Sequence, residues 1–227
     1  MSTTDQRARR RLPVAREGLP FIGGTLALAA FAGLLSWIIG AALAVLAVLI
    51  GAFFRDPERA VPSATGLVVA PADGKVVMVE TTPDGHYAGA GRTQISIFLS
   101  ILDVHVNRTP VAGRIAGADY HPGSFLPAFN DKASLRNEQN RIAVDSEHGL
   151  IGLTQIAGIV ARRIVFRPTV GDHLDRGERL GLIRFGSRVD VFLPPDAELD
   201  VAVGDRVRGG TSTLARLRVA GTEPRGS

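Results

Sequence analysis

The sequence predicts a mainly β domain, a barrel or sandwich of short strands, preceded by a helical apolar segment. Three observations lead there. No charged residue falls between Glu17 and Arg55. From Val61 onward, short runs rich in Val and Ile alternate with Gly, Pro and Asp. Two later stretches, VGDHLDRGERLGLI (170–183) and VGDRVRGGTSTLARL (203–217), echo one another.

Composition narrows the chemistry. The 227 residues include no cysteine, which removes disulfides, thiolate nucleophiles and thiolate metal sites. Hydrophobic residues make up 45% and charged residues 21%, which excludes a disordered chain. A net charge of +4 is too small to argue for nucleic acid, and no such partner is expected.

In chain order, residues 1–18 form a basic flank holding Arg7, Arg9, Arg10, Arg11 and Arg16. Residues 19–54 are the apolar anchor. One bilayer span needs about 20 apolar residues, so this run is long for one span and short for two. Ser36, Trp37 and Gly40 mark a turn near its middle, which predicts two helices, about 20–36 and 40–54, as a hairpin or re-entrant pair. A single tilted span and a cleaved signal peptide are the alternatives; the apolar run is longer than a signal peptide needs. Arginines on both flanks place the rest of the chain on the cytoplasmic side of the cell membrane.

The β-domain is expected over 60–220. Its strands include LVVAPADGKVVMVE, TQISIFLSILDVHV, RIAVDSEHGLIGLTQIAG, RRIVFRP and RVDVFLP. One short helix is expected around Asp131–Gln139. In the two echoing stretches Gly-Asp opens a turn and a second Gly supplies a positive φ. Such turns resemble those of the biotinyl and lipoyl carriers and related hybrid-motif β-structures, without a carrier lysine at a hairpin tip.

Phosphate loops, dinucleotide fingerprints, H-E-x-x-H and G-x-S-x-G are absent, and the five histidines show no metal-ligand spacing. No metal site is expected. Three local features remain. Pro71-Ala72-Asp73-Gly74 puts a carboxylate in a turn. Asp103, His105 and Asn107 share one face of a strand end. Gly186-Ser187 precedes the strand Val189–Leu193. Asp, His and Ser together suit an activated serine: the imidazole takes the hydroxyl proton, and the carboxylate orients the imidazole. The serine can attack the carbonyl just before it, and glycine at 186 allows the backbone strain and close approach this needs.

With these residues in place, FFRDPER (53–59), PADGKV (71–76), DVHVNRTP (103–110), DKAS (131–134), QIAG (155–158) with VARRI (160–164), and GERLGLIRFGSRVDVFLP (177–194) resemble the phosphatidylserine decarboxylase family, in its short, membrane-anchored branch. The resemblance implies a zymogen that cuts itself between Gly186 and Ser187 into a β chain, 1–186, and an α chain, 187–227. Ser187 becomes a covalent pyruvoyl group, the sole cofactor. It forms a Schiff base with the headgroup amine and turns phosphatidylserine into phosphatidylethanolamine. His105 is the base and Asp73 its orienter. The implied partners are the phospholipid substrate, the membrane, the two chains as a heterodimer, and further copies in a homo-oligomer.

Two departures from the larger bacterial branch stand out. A second histidine there, three residues after the first, is Arg108 here, so His105 does both jobs or His121 joins it. The local motif is F-G-S-R where that branch has L-G-S-T. Arg108, Lys132 and Arg188 are the candidate phosphate-facing cations, with solvated surface charge as the plain alternative. An archaeal ether lipid is the alternative substrate, and a membrane-tethered module without activity or a metal hydrolase is the alternative function.

Overall fold

The structure is a computed structural model. It describes residues 13–83, 86–123, 137–158, 163–184 and 186–217. The chain forms two compact units, 1–58 and 59–227.

The first unit is a pair of helices, α1 (Leu19–Leu35) and α2 (Trp37–Phe53). Pro20 suits the first helical turn, where its missing N–H costs nothing. Ser36 breaks the helix in an extended conformation, φ −154° and ψ 117°, and the chain folds back. Small residues let the helices close: a Cβ on Gly40 would lie 2.7 Å from Gly33 Cα and 3.0 Å from the Ala29 carbonyl oxygen. The two open ends are tied together, with Ala15 N–H donating to Phe54 O and Asp56 N–H to Pro13 O, both at 2.7 Å. The chain therefore enters and leaves the pair at one end. The helical stretch Arg16–Leu35 is long and apolar enough to cross a membrane; Trp37–Phe53 is shorter.

The second unit is mainly β. Its strands are β1 (Leu67–Val69), β2 (Gly74–Thr82), β3 (Arg92–Leu99), β4 (Val106–Arg108), β5 (Gly113–His121), β6 (Gln139–Ser146), β7 (Gly149–Ile156), β8 (Ile164–Phe166), β9 (His173–Leu174), β10 (Arg179–Ile183), β11 (Ser187–Leu193), β12 (Glu198–Leu199), β13 (Arg206–Val207) and β14 (Thr213–Arg216). One curled sheet has the order β13-β2-β3-β11-β7-β6-β5-β9; two small sheets have the orders β1-β14-β12 and β4-β10-β8.

These orders are palindromic. Exchanging β2 with β5, β3 with β6, β11 with β7, β13 with β9, β1 with β4, β14 with β10 and β12 with β8 returns the same arrangement. The unit is thus two like halves related about the β11–β7 pair. The echoing turns are the matching parts. Gly171 N–H donates to Ile115 O and Gly204 N–H to Val76 O, each at 2.8 Å. Asp172 accepts from Thr169 N–H at 2.8 Å and Asp205 from Ala202 N–H at 2.9 Å. One half, β4–β10, is inserted between β3 and β11 of the other.

The core follows strand alternation. Val189, Val191 and Leu193 of β11 pack with Ile95, Ile97 and Leu99 of β3 and with Ile151 and Leu153 of β7. Val68, Leu180, Leu214 and Ala215 from the small sheets close over them. Of the helix expected at Asp131–Gln139, residues 131–136 lie outside the described residues. Gln139 opens β6, paired with Ile156 at the end of β7, and just before it Glu138 O accepts from Ala157 N–H at 2.9 Å.

Candidate active site

Ser187 is the first residue of β11, paired with Leu99 of β3. It shares the inner face with Val189 and Val191 and is fully buried. Its Oγ has no hydrogen-bond partner among the described residues. Burying a hydroxyl without a partner costs free energy, so such an atom calls for an explanation.

His105 stands just before β4, is 2% exposed, and its backbone oxygen accepts from Ile183 N–H at 3.4 Å. Asn107 follows two residues later on the same face and is fully buried. A head-to-tail amide chain ties this face to the large sheet. Asn140 Nδ2 donates to Gln155 Oε1 at 3.1 Å, and Gln155 Nε2 donates to Asn107 Oδ1 at 2.8 Å. Asn107 Nδ2 is left as a buried donor with no acceptor among the described residues. Gln155 is opposite Val189, so it stands diagonally from Ser187 on the inner face. Adjacent strands put such diagonal neighbours about 7–8 Å apart. The pairing therefore gathers Asn107, Gln155, Asn140 and Ser187, all buried, with His105 buried two residues before Asn107. Gln155 and Asn140 escape sequence reasoning, since their partners are far away in the chain; the polar residue inside the apolar run LIGLTQIAG is the only local signal.

Asp73 lies in the 71–74 turn. Its Oδ2 accepts from Arg59 Nη2 at 2.7 Å and its Oδ1 from Gly209 N–H at 2.8 Å. Pro71 O accepts from Arg108 N–H at 2.8 Å, which seats this turn against β4. Asp103 sits in the turn before β4, where its Oδ2 accepts from Ser100 N–H and Oγ–H at 2.8 and 2.7 Å. It is a turn cap, and only His105 and Asn107 of the expected trio lie on the buried face.

Gly186 is uncrowded: a Cβ there would meet nothing within 4 Å, and its φ lies outside the left-handed range.

The cations lie elsewhere. Arg188 is buried on the opposite face of β11 from Ser187, because adjacent strand residues alternate. Its Nε and Nη2 grip Asp190 at 2.6 and 3.0 Å, and Gln94 Nε2 adds a bond to Asp190 Oδ2 at 3.0 Å. Arg108 is also buried, on the face of β4 opposite His105, with Nη1 donating to Gly177 O at 3.0 Å. Neither is a solvated surface charge. His121 ends β5, partly exposed and paired with Gln139. Lys132 lies outside the described residues. Beside His121, partial burial and then the neighbouring Glu138 raise the Tyr120 phenol above its usual pKa.

Comparison with known proteins gives this geometry its context. The Phosphatidylserine decarboxylase family profile matches residues 46–215. A protein of Symbiobacterium thermophilum, named phosphatidylserine decarboxylase proenzyme, is 48% identical over 209 residues, 92% of this chain and 97% of that one. Proteins of the same name from Nitrosomonas eutropha and Magnetococcus marinus are 45% and 46% identical, each over 90% of this chain and 95% of their own. A profile spanning most of the chain and relatives matched nearly end to end give the conclusion: the chain is an enzyme and belongs to the phosphatidylserine decarboxylase family.

Proposed function

We propose that the chain cuts itself between Gly186 and Ser187, converts Ser187 to a pyruvoyl group, and then decarboxylates phosphatidylserine to phosphatidylethanolamine. One observation carries the reading: a buried serine hydroxyl without a hydrogen-bond partner among the described residues, directly after a glycine, on the inner face shared with the amide chain that ends at Asn107. The residues fit a pyruvoyl group at that position. The first residue of β11 is enclosed, while Gly186 before it has open space in which a new chain end can withdraw.

In self-cleavage, Ser187 Oγ adds to the Gly186 carbonyl carbon while its proton passes to His105. The carbonyl π pair moves onto oxygen, and Asn107 Nδ2 is the buried donor able to hold that charge. Collapse breaks the peptide C–N bond, nitrogen takes the proton, and an ester remains. A base then removes the Ser187 Cα proton and the ester oxygen leaves with the electron pair, freeing the Gly186 carboxylate. Hydrolysis of the remaining enamine releases ammonia. The orienting role expected of Asp73 is not seen as a bond to His105: its two carboxylate oxygens are taken by Arg59 and the Gly209 N–H, and in this reading it acts on the imidazole only as a nearby charge. The pyruvoyl group supplies the electron sink for the pair that carbon dioxide leaves behind. His105 holds the proton that decarboxylation consumes.

The names of the relatives favour the diacyl lipid over an ether lipid as substrate. In this reading the helix pair anchors the chain in the cell membrane from the cytoplasmic side, with the N-terminal arginines at anionic headgroups.

The test is a denaturing gel with intact-mass measurement. Wild type is expected as two chains, 1–186 and 187–227, the shorter with a blocked N-terminus. Ser187→Ala stays whole. Asn107→Asp, which keeps the bond from Gln155 but replaces the donor, is expected to slow cleavage by about 100-fold or more, the usual cost of one oxyanion donor. Wild-type protein that remains one chain of 24.0 kDa overturns the reading.

A further inference from the structure

Between the strand that pairs with Ser187 and His105 lies the turn Ser100–Asp103. It exposes two large apolar side chains, Ile101 at 57% and Leu102 at 82%. The turn is braced: Asp103 N–H donates to Ser100 O at 3.0 Å, and the Asp103 carboxylate accepts twice from Ser100. Its apolar tip is held out in water by fixed backbone, and an exposed apolar group so held marks an interaction surface.

The two-fold arrangement offers a comparison. The corresponding strand β6 is followed by a direct hairpin turn to β7 at the far end of the large sheet, where β3 is followed by this turn and the inserted half. There the chain reads Ser146-Glu147-His148-Gly149, which is polar. The turn after β6 is thus polar, whereas the turn after β3 holds an exposed apolar pair at 101–102. Cations flank it. Lys75 and Arg206 are exposed, face each other across β2 and β13, and lie beside Phe98 at the same end of the sheet. Arg206 Nη1 is 3.6 Å from Asp103 Oδ1, so the carboxylate nearest the tip is itself offset. Tyr120, also exposed, is the last residue but one of β5 at this end of the sheet, because His121 pairs with Gln139 and Gln139 with Ile156, which faces Arg188.

We propose that the Ser100–Asp103 turn is a bilayer-docking site, in which Ile101 and Leu102 enter the interfacial region of an anionic membrane and Lys75 and Arg206 meet lipid phosphates. Apolar side chains ringed by cations match that boundary, where buried area and headgroup charge add. The placement suits the proposed reaction, on which the assignment rests. A phosphatidylserine headgroup then has only to rise from the bilayer to reach the end of β11, and the acyl chains never leave the lipid.

The absence of native cysteine makes a clean test. Full-length protein carries a nitroxide label at Leu102→Cys or, as control, at Glu147→Cys, and is reconstituted in vesicles of neutral lipid with or without phosphatidylglycerol. The gel pattern of each variant is read first. Two chains show that the pyruvoyl reading stands, whatever the labels report; a single chain in wild type sinks that reading instead. With anionic vesicles, the label at 102 is expected to be quenched by oxygen in preference to a water-soluble nickel chelate, and the label at 147 the reverse. Accessibility at 102 that matches 147 overturns the docking site. Equal insertion at 102 without anionic lipid overturns the part given to Lys75 and Arg206. Spin–spin broadening at 102 in detergent, without vesicles, assigns the turn to a second copy of the chain and also overturns the proposal.

Discussion

At the scale of single residues, the bond proposed to break is followed by two polar groups on opposite faces of β11. Inside are Ser187 and the amide chain ending at Asn107. Outside, one residue later, Arg188 and Asp190 form a bidentate pair, each 2% exposed by side chain, with Gln94 as a third partner. Such a pair contributes little net stability, since desolvating both charges offsets their attraction, but removing one partner strands the other. Asp190→Ala is therefore expected to destabilise the Ser187→Ala precursor by about 3–5 kcal/mol, measured by denaturant unfolding. The double change Arg188→Met, Asp190→Leu should recover most of that loss. If the double variant is as unstable as the single one, the pair is not acting as an isolated buried ion pair. Part of this was readable from alternation alone. A serine on the inner face requires Arg188 to point outward, so a phosphate role beside Ser187 was already strained by the period of two. Its partner was also near, two residues along on the same face. The depth of burial was not readable, because it depends on which strands flank β11.

Among the elements, the short sheet β4-β10-β8 positions His105 and Asn107. It depends on Gly181, which pairs with Asn107 on one side and Phe166 on the other. A Cβ at Gly181 would collide with the Val165 carbonyl oxygen, a backbone atom that cannot swing aside. Gly181→Ala must push β8 or β4 away. Overpacking of this kind costs about 1–3 kcal/mol, and the shift would carry Asn107 off its bond to Gln155. The expected outcome is a lower unfolding midpoint together with slower self-cleavage. Gly186→Ala, in open space, should leave the midpoint unchanged, so any slowing of cleavage there reports on chemistry at the bond. Gly181 cleaving at the wild-type rate as alanine would show that the short sheet does not set the site. The Gly-Asp turns, the strand-length runs and the break at Ser36 were legible, because turn chemistry and apolar periodicity are local. The end of the expected helix at Gln139 was not, since its pairing with Ile156 overrides the local pattern.

Across the whole β unit, the proposed cut falls where the inserted half returns to the half that hosts it. Strands β1–β3 lie before the insertion and β11–β14 after it, so the host half would be built from both products of the proposed cleavage. The segment from Ser187 on is woven in at three places: β11 between β3 and β7, β13 along β2, and β14 beside β1. The repeated V-G-D turns hinted at two related parts, but long-range register alone reveals that one interrupts the other. Cutting the chain at that junction removes a covalent link without removing a strand pair. The two products should therefore stay together through native size exclusion and part only on unfolding. Their unfolding then releases two chains from one, and mass action makes the midpoint rise with protein concentration, as for any complex whose partners bind only in the folded state. The Ser187→Ala precursor, still one chain, provides the reference at each concentration, and any dependence it shares with the cleaved form comes from contacts between copies. Differential scanning calorimetry of both over about a hundredfold range of concentration measures the difference. A cleaved enzyme whose midpoint tracks the precursor at every concentration would mean that the 187–227 segment is not held through these strand pairs alone.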